Sequence, residues 1–301
     1  MDVKNKICIV TGSGQGLGKE FAKTLLLNGA KVCISDIKED TLKSTYKEFL
    51  ELHASGNVCF VKCDVTNENE FSNLFDETER FFNVPCVDIL VNNAGIGMNF
   101  GWKKCLEVNI LGVMQGCEIA LHRMKNTAKP GMVINISSMS GIIARGGQDV
   151  MGYTVSKHAS IALTKTLAED IRHHGITFKV LCPAWVDTEL VSTLRETINK
   201  ERLPELETQI QKVGGLMTAE YVAKGFYKLV TECGNGSVMW VMKDTPYIIM
   251  PDDALTKVLV GVGIARLISK FSEIELITPW HQKLFFLLIF SVLIVFTCIL
   301  T

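Results

Sequence analysis

The ten cysteines of this 301-residue chain include no Cys-x-x-Cys pair and no cysteine–histidine cluster at zinc spacing. Neither a structural zinc site nor a redox dithiol is expected, and no metal ligand set stands out. Cys8, Cys33 and Cys59 fall inside apolar runs, where a small buried thiol is the expected role. Such scattered usage suits a reducing compartment. Charge of one sign is also lacking: 31 basic and 32 acidic residues leave a formal net charge of −1. That gives no electrostatic case for binding nucleic acid. No internal repeat or low-complexity stretch occurs, and no linker is visible before about Pro251. No signal peptide is visible either, because the first apolar run, Ile7 to Val10, is short and leads straight into glycines. Residues 1–250 are therefore expected to form one domain large enough to bury a sizeable core.

What is present is alternation. Lys6 to Thr11, the run ending at Asp36, VCFVKCDV, Val87 to Gly95, Met132 to Ser138, ITFKVLCPAW and SVMWVM read as buried strands. Helical periodicity falls between them: a helix ended by Gly29, then Thr41 to His53, Asn67 to Phe82, Trp102 to Met124, Tyr153 to His173 and Ala219 to Thr231. Strict alternation predicts a Rossmann-type doubly wound parallel sheet with helices on both faces. SVMWVM is expected to be its last strand.

The first strand runs into Gly12-Ser13-Gly14-Gln15-Gly16-Leu17-Gly18 and then a helix. Strand, glycine-rich turn and helix form the context that a dinucleotide fingerprint requires. Glycines admit the backbone close to a pyrophosphate, and the helix N-terminus offers free N–H groups. Asp36 follows Gly18 by 18 residues, where a carboxylate accepts from ribose hydroxyls and repels a 2′-phosphate. Lys38 is the nearest cation, so NAD is expected over NADP.

Tyr153 and Lys157 lie four residues apart and share one helix face. A nearby cation favours the ionised phenol, which suits proton transfer. Taken alone, such a pair is more often a packed tyrosine beside a solvated lysine. Its context changes that reading. From Thr188 to Gly215 runs a charged, helix-prone stretch that follows a strand C-terminus and ends in glycines, a candidate lid over a substrate.

Thr11-Gly12-x-x-x-Gly16-x-Gly18, Asp64-Val65, Asn92-Asn93-Ala94-Gly95, Asn109, Ser137-Ser138, Tyr153-x-x-x-Lys157 and Pro183 together resemble the short-chain dehydrogenase/reductase family. The match spans Lys6 to Met242. TLLLNGAKV, KCDVTNENEF, FGWKKCLEVN and NGSVM further resemble its hydroxyprostaglandin-oxidising branch. The resemblance implies that Tyr153 takes the alcohol proton, Lys157 holds the nicotinamide ribose and lowers the Tyr153 pKa, and Ser138 positions the reacting oxygen. It implies that Asn109 interrupts its helix and orients a water beside Lys157. Asp64 and Val65 would contact adenine, Asn92 the ribose side, and Val186 with Thr188 the nicotinamide amide. Gln148 would touch substrate together with Ser138 and Tyr153. Two departures stand out: the Ser138 to Tyr153 spacing of 15 residues exceeds the family's by about two, and Ala184 replaces a usual glycine. Ser140 would restore the spacing, but Ser137-Ser138-x-x-Gly141 fits the motif better.

Leu284 to Leu300 is 17 residues without a charge, 14 of them Leu, Phe, Ile or Val. As a helix it would be roughly 25 Å long, a match for a thin bilayer such as the endoplasmic reticulum at about 27 Å. Trp280, His281 and Lys283 suit its cytosolic interface. Residues 284–301 are thus expected to anchor the enzyme domain to that membrane, facing the cytosol. Segment 251–283 either lies along the surface or packs on the domain. A lipophilic secondary alcohol or ketone, such as a hydroxylated fatty acid or prostaglandin, is the expected substrate of a homodimer. Alternatives are a steroid or retinoid oxidoreductase and a non-catalytic NAD-binding scaffold.

Overall fold

Short runs rich in β-branched and small apolar residues pair in parallel to form the centre of the fold. The computed structural model describes residues 2–52, 55–144, 147, 149–171, 174–245 and 247–250. The chain divides into two units, Met1–Ile248 and Ile249–Thr301. In order, the elements are β1 (Ile7–Thr11), α1 (Gly16–Leu27), β2 (Lys31–Asp36), α2 (Glu39–Leu52), β3 (Val58–Lys62), α3 (Glu68–Phe82) and β4 (Ile89–Asn92). Then come α4 (Trp102–Leu106), α5 (Gly112–Asn126), β5 (Gly131–Ile136), α6 (Met151–Asp170) and β6 (Ile176–Pro183). The last are α7 (Glu189–Thr197), α8 (Leu203–Lys212), α9 (Ala219–Glu232), β7 (Val238–Val241) and β8 (Ile248–Met250).

The sheet runs β3-β2-β1-β4-β5-β6-β7-β8, and the pairings from β3 through β7 are parallel. Strand order reverses between β1 and β4, which opens a crevice at the carboxyl ends of the strands. This is the expected doubly wound fold. The period of two divides each strand between two cores. Cys8 and Val10 join Phe21, Leu25, Phe49 and Phe226 under α1, α2 and α9. Ile7 and Ile9 join Phe71, Phe75, Val113 and Ala168 under α3, α5 and α6. Phe21 and Phe226 stack with centroids 4.4 Å apart, locking α1 to α9.

Three features refine the sequence reading. β8 lies beyond the expected last strand; three residues are too few to show an alternation. The expected long helix from Trp102 to Met124 is broken by a π-helical turn, Glu107–Leu111, centred on Asn109. The expected lid is two helices, α7 and α8, tied by a two-pronged Arg195–Glu207 bond at 2.8 and 3.0 Å. Its apolar residues Leu194, Leu206 and Ile210 form a small cluster of their own. Among the described residues, no helix is long and apolar enough to cross a membrane. The expected juxtamembrane segment 251–283 and anchor 284–301 lie outside the described residues, as do Arg145 and Gln148.

Candidate active site

A cavity of about 460 Å³ opens along the carboxyl ends of the strands. One arm is floored by the glycine turn. Gly12 and Gly16 hold φ of +62° and +57°, a backbone that other residues rarely adopt. A Cβ on Gly18 would fall 2.2 Å from the Gly12 carbonyl oxygen, so the turn closes only with glycine there. Gln15 precedes α1 without capping it, and the first turn of α1 carries no acid. Its N–H groups are left for a pyrophosphate. Gly12, Gln15, Gly16, Leu17 and Gly18 all line the cavity. Gly14 does not: its N–H donates to Asp36 Oδ2 at 3.0 Å. Its part is to aim that carboxylate.

Asp36 is held twice, since Oδ1 also accepts from the Lys38 N–H at 3.0 Å. Fixed at the end of β2, it faces the cavity with Ile37 and Lys38. Asp64 and Val65 follow β3 and line the same arm. One Asp64 oxygen accepts from the Thr66 N–H and hydroxyl at 2.9 and 2.7 Å, which sets the turn. Across the cavity, Val186 is pinned by a bridge to Met217, and Thr188 caps the approach to α7. These residues fit an NAD molecule: a glycine floor for the pyrophosphate, a rigid acid for the ribose, an apolar slot beside it. NAD would supply the hydride chemistry, and the protein its position and electrostatics.

Where β5 ends, Ser138 turns into the cavity, its hydroxyl accepting from the Ser140 N–H at 3.1 Å. Ser140 lines the cavity as well, and Ser137 is committed elsewhere, donating to the Lys157 carbonyl at 2.7 Å. Tyr153 and Lys157 stand one turn apart on α6 and both line the cavity. The Lys157 ammonium lies 5.6 Å from the Tyr153 ring centroid and donates to the Ile136 carbonyl at 2.9 Å. Burial pushes the Lys157 pKa down to about 8, with no carboxylate to hold it up.

Asn109 is fully buried and does not line the cavity. Its carboxamide accepts from the Ile96 N–H at 2.8 Å and donates to the Ile96 carbonyl at 3.0 Å. Both bonds stitch the loop after β4 to the π turn. The turn itself interrupts the helix where expected. Asn92 departs further from expectation. Its side chain points away from the cavity and donates to Asn135 at 2.9 Å, and Asn135 donates to Thr164 of α6 at 2.9 Å. Strand alternation explains this: Asn92 faces α5, and Asn93, the next residue, faces the glycine turn. Asn93 donates to the carbonyls of Thr11 and Gly12, both at 2.9 Å. The cofactor role expected of Asn92 is replaced by a buried link from β4 through β5 to the helix carrying Tyr153.

The second arm is apolar, and the expected lid supplies part of it. Ile96, Met98, Phe100, Met139, Trp185, Leu190, Val191 and Leu194 make it apolar. They come from loops after β4, β5 and β6, where the one sequence signal is a position just beyond a strand end, and from α7 of the expected lid. Ala184 also lines the cavity and donates its N–H to the Val241 carbonyl at 2.9 Å, so the backbone there is held without glycine.

Residues 6–199 match the family model described as short chain dehydrogenase. The NAD(+) 15-hydroxyprostaglandin dehydrogenase of Mus musculus is 32% identical over 247 residues, 79% of this chain and 90% of that enzyme. Zerumbone synthase of Zingiber zerumbet is 31% identical, covering 72% of this chain and 79% of its own. A short chain dehydrogenase/reductase from Burkholderia phymatum, solved in complex with NAD, superposes with a TM-score of 0.66 at 27% identity. That likeness covers 77% of this chain and 88% of the other. With its glycine turn, its aimed Asp36 and its Ser138, Tyr153 and Lys157 on one cavity, the chain belongs to the short-chain dehydrogenase family, and the dinucleotide its site is built for is NAD.

Proposed function

We propose that this protein oxidises the secondary alcohol of a lipophilic chain, a hydroxylated fatty acid or a 15-hydroxyprostaglandin, with NAD as hydride acceptor. The observation that carries the reading is the apolar arm that meets Ser138 and Tyr153: a hydroxyl on a long hydrocarbon fits its lining from Met98 to Leu194. The Ser138 hydroxyl positions the reacting oxygen, and the Tyr153 phenol accepts its proton. Lys157 holds positive charge beside that phenol and favours its ionised form. Asn109 positions the Ile96 loop next to Lys157. The mouse relative's name supports a hydroxyprostaglandin.

The same reading places the enzyme on the endoplasmic reticulum membrane, facing the cytosol, through residues 284–301. The 17-residue uncharged run supports it. It also makes the enzyme a homodimer. Support comes from exposed Trp102 on α4 and exposed Met151 and Val155, which share a face of α6. Gly152 brings these helices together, since a Cβ there would meet the Trp102 Cα at 2.4 Å.

One screen tests the substrate: a hydroxyprostaglandin, a hydroxysteroid and retinol, each with NAD and with NADP. Turnover of the hydroxyprostaglandin or of a hydroxy fatty acid with NAD is expected. Turnover of the steroid or retinol alone would replace this reading, and turnover of none would favour an NAD-binding scaffold. Deleting the residues after Trp280 should move the protein to the soluble fraction. Retention in membranes would remove the anchor from the reading.

A further inference from the structure

The structure assigns dinucleotide discrimination to a second residue besides Asp36: Glu189, the first residue of α7. Lys38 is the one basic side chain that follows β2 at the cavity wall, two residues beyond Asp36. An amine at that place is the natural receptor for a 2′-phosphate, because phosphate binds ammonium groups through charge-assisted bonds. In this protein the ammonium is already taken. Lys38 Nζ lies 3.2 Å from Glu189 Oε1, and both residues line the cavity. The two are 151 positions apart, so the pair bridges the dinucleotide arm to the lid.

The surrounding geometry keeps Glu189 at that position. Thr188 abuts the glycine turn: a Cβ on Gly16 would lie 3.6 Å from Thr188 Cγ2. Thr188 also donates its hydroxyl to the Val186 carbonyl at 3.3 Å, and Val186 is bridged to Met217. On the other side, the Lys38 backbone is held by Asp36. Glu189 therefore acts in two ways. It neutralises the cation that a 2′-phosphate would need, and it adds a second carboxylate where that phosphate would sit. Asp36 grips the ribose, and Glu189 withholds Lys38 from the competing cofactor. The acid and base of the pair are 51% and 56% exposed, so breaking it frees Lys38 at little cost to folding.

The test is direct binding, read from nicotinamide fluorescence with NADH and NADPH as probes. Glu189→Gln should tighten NADPH binding about fivefold or more and leave the NADH Kd within about twofold. Adding Lys38→Ala to that variant should abolish the gain. NADPH should still bind more weakly than NADH throughout, because Asp36 is intact. An unchanged NADPH-to-NADH ratio in Glu189→Gln would overturn the assignment. So would a gain that survives in the double variant. Circular dichroism on all three proteins should show the wild-type fold, which keeps either result interpretable.

Discussion

Arg202, at the start of the second lid helix, forms an ion pair with Asp149, two residues ahead of the helix that carries Tyr153. The pair draws the lid onto the stretch between Ser138 and Tyr153. It also sits over Met98, Trp185, Ile198 and Leu206, which wall a small cavity below. Asp149 thus serves as an anchor point for the lid. Both side chains are more than a third exposed, so solvent screens the pair and it contributes little to folding. Arg202→Ala and Asp149→Asn should raise the KM for the lipophilic alcohol several-fold. The NADH Kd should stay within about twofold and the melting temperature within a few degrees. An equal loss in both ligands would place the effect elsewhere.

Tyr153→Phe should lower kcat by about 10²- to 10⁴-fold, the range for a lost proton-transfer group, and leave the NADH Kd near wild type. Steady-state kinetics beside fluorescence titration separates the two. Retained turnover would remove Tyr153 from the proton route.

Lys157 gives NADH binding a pH dependence. Burial holds its pKa near 8 in the free protein, below the ordinary 10.5. A dinucleotide carrying two phosphates favours the ammonium, so binding raises that pKa and takes up a proton. Affinity must then fall as pH rises through about 8. The NADH Kd should increase between pH 7 and 9.5 in the wild type and stay level in Lys157→Met. A level wild-type curve would show that the lysine is already charged throughout.

Asn92→Ala separates a structural residue from a cofactor contact. Removing its carboxamide leaves the buried Asn135 short of a partner, which costs about 1 to 3 kcal/mol. The melting temperature should drop and the NADH Kd should hold. Gly116→Ala should strain the same place, because its Cβ would fall 2.4 Å from Asn92 Oδ1 and 2.7 Å from the Phe71 ring. A Kd loss in Asn92→Ala without destabilisation would restore the ribose contact.

Alkaline stability follows from the thiols. Burial raises Cys63, Cys117 and Cys182 from 9.0 to about 12, and raises Cys8 too. Between pH 9 and 12 the unfolded chain releases protons that the folded chain keeps, so stability falls as pH rises. Lys157 and Lys179, both lowered to about 8, work the other way up to about 10.5. Four thiols outweigh two amines. The urea midpoint should therefore decline above pH 9, and Cys182→Ala should lessen the decline.

The chemistry was legible in the sequence because its residues are local to elements that announce themselves. Glycines mark the turn, Asp36 ends a strand, and Tyr153 and Lys157 need only one helix turn to meet. Even the break at Asn109 was expected. What escaped depends on direction and distance. Asn92 and Asn93 are neighbours that a strand sends to opposite faces, and Gly14 serves the turn without lining the cavity. The partners Lys38 and Glu189, and Asp149 and Arg202, meet only once the sheet is wound. No periodicity records such meetings.

The lid's apolar residues pack with one another more than with either main core, and this separation shapes what the enzyme can become. Leu194, Leu206 and Ile210 can be exchanged without disturbing the layers that hold the sheet. Inheritance can therefore revise what the enzyme recognises while leaving its reaction intact, and a transplanted pair of lid helices should carry its preference along.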